Sequence, residues 1–469
     1  MASSFPPSFI NGIENKLGKD EAKLFFEALS QKPPVSVRLN AKKKPETIAE
    51  TKIETLNRVA WAQQGYYLNE RPIFTIDPLF HAGTYYVQEA SSMLIDAFLD
   101  QILPLLERPI RILDLCAAPG GKSTLLADRL TPEDVLVANE VIKPRAGILV
   151  ENMVKWGLPN VIVTNSDPKY FKNIENYFDI ILVDAPCSGE GMFRKDANAV
   201  DEWSDENVSL CSGRQQRIVE DILPSLKQGG YLLYSTCTYS KRENEDNMVH
   251  FCENFGLDTL RLSLKSEWGI SEIFHKNTYS YQCMPHKVRG EGFFISCMKK
   301  NTSGDETDDV YIKPKFELLP KNQMALLQPW VNEPDGLEFL PEKSGDIVAL
   351  PKALVKDLAF ISKHLFVLNK GIKIGKIMGK DFIPEHDLAL STLIAPNLPF
   401  CELTLEEAIE YLKKGEISGF GSVQALANGW TLARYKSKNI GWIKKIGDSR
   451  ANNYYPKNMR ILKDFQPNH

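Results

Sequence analysis

The chain has 469 residues, a length that predicts about three domains, and its 43% hydrophobic and 25% charged residues exclude wholesale disorder. Its 56 Lys and Arg against 60 Asp and Glu give a net charge of −4, which by itself does not indicate a nucleic-acid-binding protein. It has no apolar run of roughly 18 residues, no secretory signal and no metal-ligand spacing among its eight cysteines, so we expect a cytoplasmic protein without metal or membrane partner.

The predicted elements start with a helix over Asp20–Leu29, a short strand over Ser36–Asn40 and a helix over Gln88–Leu99. Beyond them, apolar runs typical of strands alternate with segments typical of helices. The predicted strands are Ile110–Leu115, Val135–Ala138, Val161–Val163, Ile180–Val183 and Tyr231–Tyr234, with a closing strand at Gly292–Cys297. The predicted helices are Lys122–Leu130, Pro144–Trp156, Arg214–Leu226 and Glu243–Asn254. Because the strands are continuously apolar, we predict an α/β fold with a parallel sheet buried on both faces.

Composition and charge indicate how the chain divides into domains. Residues 301–310 are polar, acidic and without periodicity, which is typical of a linker. The other predicted units are an N-terminal extension at 1–87, an α/β domain at 88–300, and two smaller units at 311–388 and 389–469. Between Tyr411 and His469, eleven basic residues stand against three acidic ones, a local charge of +8. This concentration of one sign indicates a polyanionic partner.

The turn after the first parallel strand is rich in small residues and opens a predicted helix. It consists of Cys116, Ala117, Ala118, Pro119, Gly120, Gly121 and Lys122. Paired glycines let a ligand lie against the backbone, and the helix N-terminus supplies N–H donors. The second half of the turn is similar to a phosphate-binding P-loop, but Cys116 stands where that loop has its first glycine.

Acidic residues follow three consecutive strands of the predicted sheet. Glu140 ends the second strand, about 20 residues beyond the glycine turn, where a carboxylate can accept ribose hydroxyls. Asp167 follows the third strand and Asp184 ends the fourth. The carboxyl ends of parallel strands meet in one crevice, so these carboxylates should lie close together. Three acidic groups suit S-adenosylmethionine, which is cationic at its sulfur and amine, and suit a triphosphate poorly.

Two cysteines follow the fourth and fifth strands. Cys187 stands in Asp184-Ala-Pro-Cys-Ser-Gly-Glu-Gly191, and Cys237 stands in Ser235-Thr-Cys-Thr. Because sequential strands are usually neighbours, both thiols should lie beside the cofactor crevice. For Cys211, Cys252, Cys297 and Cys401 we expect ordinary buried positions.

Two thiols and a carboxylate suit methyl transfer to carbon 5 of a pyrimidine. A thiolate that adds to carbon 6 makes carbon 5 nucleophilic, and a carboxylic acid can hydrogen-bond to the ring nitrogen. The spacing is symmetric between the cysteines and does not choose the nucleophile. A P-loop-like ATPase and a non-catalytic RNA-binding protein are the alternatives, although neither needs two cysteines in this place.

The combination of these motifs resembles the Sun (nucleolar-protein) family of RNA cytosine-carbon-5 methyltransferases over about residues 1–300. The motifs that carry the resemblance are Leu113–Lys122, Asp184–Gly191 and Ser235–Thr238. Arg38 and Asn40 match an N-terminal motif of the family, and Gln88–Ser92 matches the segment before the catalytic domain. The resemblance implies a class I, Rossmann-like methyltransferase domain that binds S-adenosylmethionine at Cys116–Lys122, Glu140, Asp167 and Asp184. It also implies that Cys237 is the nucleophile and that Cys187 assists product release. We expect Asp184 to be catalytic as well, through contact with the cofactor or with the cytosine ring.

The C-terminal segment Gly441–Arg460 resembles the tail of the bacterial subgroup that acts on small-subunit (16S) ribosomal RNA. There the tail belongs to a β-rich, PUA-like RNA-binding module. Five aromatic residues stand among the basic ones, namely Trp430, Tyr435, Trp442, Tyr454 and Tyr455, and could be either stacking surfaces or a core. The resemblance implies RNA as partner, 16S rRNA or the small ribosomal subunit, and we expect a monomer.

Overall fold

The computed structural model describes residues 5–301, 316–317, 319–448 and 450–462, so the predicted linker at 301–310 lies outside the described residues except for Asn301. The N-terminal part is a helical hairpin followed by an antiparallel sheet. Helices α1–α3 span Pro7–Leu17, Lys19–Leu29 and Pro78–His81. Strands β1–β6 span Val35–Leu39, Thr47–Ile48, Thr51–Lys52, Asn57–Arg58, Gly65–Leu68 and Tyr85–Val87. Four of these strands form a sheet in the order β4-β5-β1-β6. The predicted first helix and first strand are confirmed as α2 and β1.

The central part alternates strands and helices, as predicted. Helices α4–α9 span Ile95–Ile102, Gly121–Asp128, Lys143–Trp156, Ala197–Asp201, Asp205–Ile222 and Glu245–Phe255. Strands β7–β15 span Arg111–Asp114, Val135–Asn139, Val161–Thr164, Phe178–Asp184, Leu226–Thr236, Leu257–Thr259, Ser271–His275, Thr278–Cys283 and Phe293–Lys300. All six predicted strands are confirmed.

Two predicted helices begin at the wrong residue. The helix predicted from Gln88 starts only at Ile95, because a 3₁₀ turn occupies Ser91–Leu94. The helix predicted from Arg214 begins at Asp205, where the hydroxyl of Ser204 accepts a hydrogen bond from the N–H of Asn207 and caps it.

The central sheet has the order β13-β14-β15-β11-β10-β7-β8-β9-β18, with β12 beside β15, and its last strand β18 is Val367–Lys370. Strands β11, β10, β7, β8 and β9 are parallel, and β15 runs antiparallel to β11. Two separate apolar cores cover its two faces. The parallel strands therefore present their carboxyl ends along one edge, where the turns described below meet.

The C-terminal residues add two further sheets. The first group comprises α10 at Lys321–Leu327, β16 at Leu337–Pro341, β17 at Asp346–Pro351, α11 at Val355–His364, β18 at Val367–Lys370, β19 at Ile372–Met378, β20 at Asp381–Pro384 and α12 at His386–Leu390. The second comprises β21 at Phe400–Glu402, α13 at Leu405–Leu412, α14 at Gly421–Gln424, β22 at Gly429–Tyr435, β23 at Lys438–Ile446 and β24 at Arg450–Asn453. Strand β18 leaves its own group and pairs with β9 at the edge of the central sheet. Among the described residues, no helix is long and apolar enough to cross a membrane.

The last sheet packs against the N-terminal part of the chain, and one apolar core is shared between them. The phenol of Tyr455 lies 2.9 Å from Nδ1 of His81, and the phenol of Tyr435 donates to Glu50 at 2.7 Å. Tyr435, Tyr455 and Trp442 are therefore core residues, and only Trp430 and Tyr454 of the five aromatic residues remain accessible.

Candidate active site

The cysteine pair is positioned by the pairing of two neighbouring parallel strands. In the register of β10 and β11, Asp184 lies beside Ser235, and the N–H of Ala185 donates to the carbonyl of Ser235 at 2.8 Å. The chain leaves both strands at this level, so Cys187 and Cys237 emerge at the same edge. Their Sγ atoms lie 3.2 Å apart, and both cysteines are half-buried free thiols.

The contact between the thiols affects their protonation. The hydrogen bond to Cys237 and, after it, burial raise the pKa of Cys187 well above its ordinary value. Cys187 is thereby held as a neutral thiol that can donate to the sulfur of Cys237. Either sulfur can be the donor in this hydrogen bond, so the contact, like the spacing in the sequence, does not choose the nucleophile.

Two buried glutamates support the cysteine loops. The carboxylate of Glu243 accepts the N–H and hydroxyl of Ser188 at 3.0 and 2.5 Å and the amide of Gln215 at 2.9 Å. The carboxylate of Glu190 accepts the N–H of Tyr239 at 2.8 Å, and burial raises the pKa of Glu190 to about 7. We did not single out either glutamate from the sequence, although Glu190 follows Cys187 by three residues and Glu243 follows Cys237 by six.

Asp184 joins the glycine turn to the strand of Cys237. Lys122 donates to its Oδ2 at 2.7 Å and Ser235 donates to its Oδ1 at 2.8 Å. Burial alone would lower the pKa of Lys122, but the Asp184 carboxylate outweighs it and the net direction is upward. Lys122 is therefore held as a cation against Asp184, beside the ring of Phe293.

The predicted cofactor turn runs from Cys116 to Lys122 and is tied to the next strand. The N–H of Ala117 donates to the carbonyl of Asn139 at 2.8 Å. Gly120 has a φ of 115°, a left-handed conformation that favours glycine, and is the N-cap residue of α5, which begins at Gly121. Burial raises the pKa of the Cys116 thiol, so this cysteine stays neutral.

The acidic residues of the crevice differ in exposure. Glu140 is buried and its Oε1 accepts the N–H of Ile142 at 2.9 Å, while Asp167 is half-exposed and caps the following 3₁₀ turn through the N–H of Lys169. Asp114, at the end of β7, is a further buried carboxylate that we did not predict. Its Oδ2 accepts the hydroxyl of Ser123 at 2.6 Å, but its Oδ1 is buried with no hydrogen-bond partner in the described part of the chain.

Arg38 and Asn40 of the N-terminal motif are buried and make hydrogen bonds within the protein. Arg38 is fully enclosed, donates to Asp128 and to Gln88 and lies over the ring of Trp156. The amide of Asn40 donates to the carbonyls of Gly83 and Trp156, at 3.0 Å each. These residues fasten the N-terminal part beneath the glycine turn.

The donor set fits S-adenosylmethionine. The backbone turn Cys116–Gly121 can hold the methionine end, and the carboxylates of Glu140 and Asp167 can accept from the nucleoside. Among the residues that the structure describes, the buried Asp114 has one oxygen without a hydrogen-bond partner beside the turn, which suits a ligand with a free amine better than a polyphosphate. Within the described residues, no group of three or more His, Cys, Asp or Glu side chains is placed to hold a metal ion.

Two solved structures share this architecture. A methyltransferase homologue from Pyrococcus horikoshii is 28% identical and has a TM-score of 0.50, over 63% of this chain and 99% of that chain. NSun6 from Pyrococcus horikoshii, solved with SFG, is 22% identical with a TM-score of 0.53, over 64% of this chain and 99% of that chain, and shows the fold alone. The fold is the Rossmann-like methyltransferase fold, as predicted.

Full-length relatives and family profiles agree with one another. Proteins named ribosomal RNA small subunit methyltransferase F are 28% identical in Erwinia tasmaniensis and 29% identical in Vibrio vulnificus, covering 97% and 95% of this chain and 96% of each relative. The profile of 16S rRNA methyltransferase RsmB/F matches residues 102–299, that of the RsmF N-terminal domain residues 5–90, and that of the RsmF PUA domain residues 399–461. The chain therefore belongs to the RsmB/F family of 16S rRNA methyltransferases, with the N-terminal and PUA domains of RsmF.

Proposed function

We propose that this protein methylates carbon 5 of a cytosine in 16S ribosomal RNA, through a covalent bond between Cys237 and carbon 6 of the base. The observation that carries the proposal is the contact between two half-buried thiols, 3.2 Å apart, beside Asp184 at the carboxyl ends of β10 and β11. S-adenosylmethionine, when bound, supplies an electrophilic methyl group. The remaining chemistry belongs to side chains of this chain.

Cys237 carries the nucleophilic step. Its thiolate adds to carbon 6, and the electrons of the double bond between carbons 5 and 6 make carbon 5 nucleophilic. After carbon 5 has gained its methyl group, a base takes the proton from carbon 5. The double bond then re-forms and the bond between sulfur and carbon 6 breaks, which restores the thiolate.

Cys187 is the partner thiol that assists release. Its raised pKa favours the protonated thiol, which can donate to the sulfur of Cys237. Cys237 is assigned as the nucleophile because its motif Ser235–Thr238 resembles that of the Sun-family enzymes. The same hydrogen bond can stabilise the departing thiolate when the product leaves.

Asp184 lies where it can serve the base or the cofactor. It is hydrogen-bonded on one side to Lys122 of the cofactor turn and on the other to Ser235 of the nucleophile's strand. A group in this place can hold the cytosine ring nitrogen while charge develops in the ring. Glu140, Asp167 and the turn Cys116–Lys122 would hold the cofactor.

The RNA partner is proposed from the relatives' names and from a basic, aromatic surface on the last sheet. There the rings of Trp430 and Tyr454 are 4.4 Å apart, Lys444 lies over Trp430 and Lys414 lies over Tyr454. Stacking surfaces beside cations are suited to unpaired bases. We call these four residues the aromatic–basic patch.

The alternatives fit the geometry less well. A P-loop ATPase needs a lysine free to reach phosphates, whereas Lys122 is paired with a carboxylate and three further acidic groups line the crevice. A non-catalytic RNA-binding protein has no use for two thiols in contact beside this crevice. We therefore retain the methyltransferase proposal.

The test is methylation of 16S rRNA and of small subunits isolated from cells that lack this gene. The purified protein and S-adenosylmethionine should produce 5-methylcytosine, mapped by mass spectrometry of RNase fragments, and Cys237→Ala should produce none. Methylation at another atom of the base, or undiminished product with Cys237→Ala, would overturn the proposal.

A further inference from the structure

The strand order of the central sheet determines how the cofactor must be oriented. From the thiols outward, the strands are β11, β10, β7, β8, β9 and β18. The reacting methyl group has to face Cys237 after β11, while Glu140, the proposed ribose ligand, follows β8. The adenine of the cofactor lies beyond the ribose, on the side away from the methyl group. Because neighbouring strands are about 4.8 Å apart, the adenine is directed over β9 and towards β18.

Phe366 stands at that outer edge, immediately before β18. Its carbonyl accepts the N–H of Asn165 at 2.9 Å, and its own N–H donates to the hydroxyl of Ser166 at 3.0 Å. Asn165 and Ser166 directly precede Asp167, the proposed cofactor contact. Two main-chain hydrogen bonds thus fix a residue of the C-terminal unit against the cofactor loop.

The surroundings of Phe366 form an exposed apolar rim. Phe366 is 63% exposed, and Val141 and Ile142, which follow Glu140, are 53% and 48% exposed. The side-chain amide of Asn165 donates to the carbonyls of Glu140 and Val141 at 2.5 and 3.0 Å, which links the two loops. A flat apolar ligand with an amine for a nearby carboxylate suits this rim, and adenine has both features.

We propose that the phenyl ring of Phe366 packs against the adenine of bound S-adenosylmethionine. The C-terminal unit then supplies part of the cofactor pocket, from outside residues 102–299 that match the methyltransferase profile. The inference rests on the proposed cofactor. It adds a residue that orients the cofactor and takes no part in the chemistry.

The test is the affinity of the full-length protein for S-adenosylmethionine and S-adenosylhomocysteine, measured by isothermal titration calorimetry. Phe366→Ala should weaken both ligands by about three- to tenfold, as expected for the loss of one aromatic contact. The two losses should be equal, because the ligands differ only at the far end. The matched control is Phe274→Ala, which removes a 60% exposed phenylalanine from β13 at the opposite edge of the same sheet, and it should bind as the wild type does.

The outcomes separate this inference from the proposed function. If the wild type binds neither ligand, the proposed cofactor is wrong. If the wild type binds and Phe366→Ala binds equally well, only the role of Phe366 is wrong. The melting temperature without ligand should not differ between Phe366→Ala and the wild type, since the hydrogen bonds of residue 366 come from its main chain. If the melting temperature of Phe366→Ala falls, the variant to use is Phe366→Leu, which keeps an apolar side chain without the flat ring. Phe366→Leu should also bind both ligands more weakly, and wild-type affinity for this variant would overturn the inference.

Discussion

The N–H of Gly191 donates to the carbonyl oxygen of Cys237 at 2.8 Å and thereby joins the two cysteine loops through their main chains. A Cβ atom at position 191 would lie 2.2 Å from that oxygen and 3.3 Å from Cβ of Cys237. Contact this close is possible only with glycine. The position of the proposed nucleophile therefore depends on a residue of the opposite loop.

We expect Gly191→Ala to displace Cys237 and to lower kcat by about 100-fold, because small errors in the placement of a reacting group are costly. Affinity for S-adenosylmethionine should remain that of the wild type. Gly213→Ala in α8 is the control, because its Cβ would meet nothing within 4 Å. Single-turnover kinetics and calorimetry measure the two effects, and a wild-type kcat for Gly191→Ala would contradict the expectation.

Removing the partner thiol should trap the covalent intermediate. If Cys237 attacks and Cys187 is needed only for release, Cys187→Ala incubated with RNA and S-adenosylmethionine should show a shifted, nuclease-sensitive band on a denaturing gel. The double variant Cys187→Ala/Cys237→Ala should show none. A band with Cys237→Ala in place of Cys187→Ala would reverse the two roles.

Replacing Asp184 by asparagine should separate its two candidate roles. The change leaves Lys122 without its carboxylate partner and keeps the size of the side chain. A contact to the cytosine predicts a single-turnover rate lower by about 100-fold with little loss of cofactor affinity, and a contact to the cofactor predicts the opposite pattern. Ser235→Ala controls for the lost hydrogen bond, and no change in either quantity would exclude Asp184 from the site.

The aromatic–basic patch should determine the salt dependence of RNA binding. Lys414→Gln/Lys444→Gln should weaken RNA binding and reduce the slope of log K against log salt by about one to two units. Lys276→Gln/Lys343→Gln removes the same charge from exposed positions elsewhere and should leave the slope unchanged. An unchanged slope for the first pair would mean that the patch lies outside the RNA interface.

Lys445→Gln should behave differently, because Lys445 is buried and donates to the carbonyls of Val423 and Gln424. We expect a lower melting temperature with RNA affinity retained in the folded fraction. Weaker RNA binding without loss of stability would place Lys445 in the interface after all.

Asp114 should make stability depend on pH. Burial raises its pKa to about 7, above its unfolded value of 3.8, so the folded state holds a proton that the unfolded state has lost. Its contribution to stability therefore falls as the pH rises from about 4 through 7. The unfolding free energy of Asp114→Asn minus that of the wild type should be larger at pH 8 than at pH 5, by at least about 1 kcal/mol. Urea unfolding without ligand measures this difference. An equal change at both pH values would contradict the shift.

Much of the central sheet could be predicted from the sequence because buried parallel strands are continuously apolar. The proximity of Cys187 and Cys237 also follows from strand order, since both cysteines come just after neighbouring strands. The glutamates Glu190 and Glu243 could not be found in this way, because their role depends on loops that fold back behind the cysteines.

The C-terminal segment shows what its sequence pattern could not predict. Alternating basic and aromatic residues do not reveal which of them face inwards, and Trp442 and Lys445 both proved to be buried. Strand β18 was missed because its short segment carries no local signal for its partner strand β9, which lies far earlier in the chain. Tertiary pairing of this kind is decided by the available sheet edge and leaves no local pattern.

Strand β18 also has a consequence for synthesis of the protein. All the thiols and carboxylates of the site lie before residue 244, yet the edge of β9 stays unpaired until residue 370 has left the ribosome. An open strand edge invites pairing with other chains, so the nascent protein passes through a period of aggregation risk that ends only when its C-terminal unit arrives. Translation of Val367–Lys370 thus completes a sheet that the first half of the chain began.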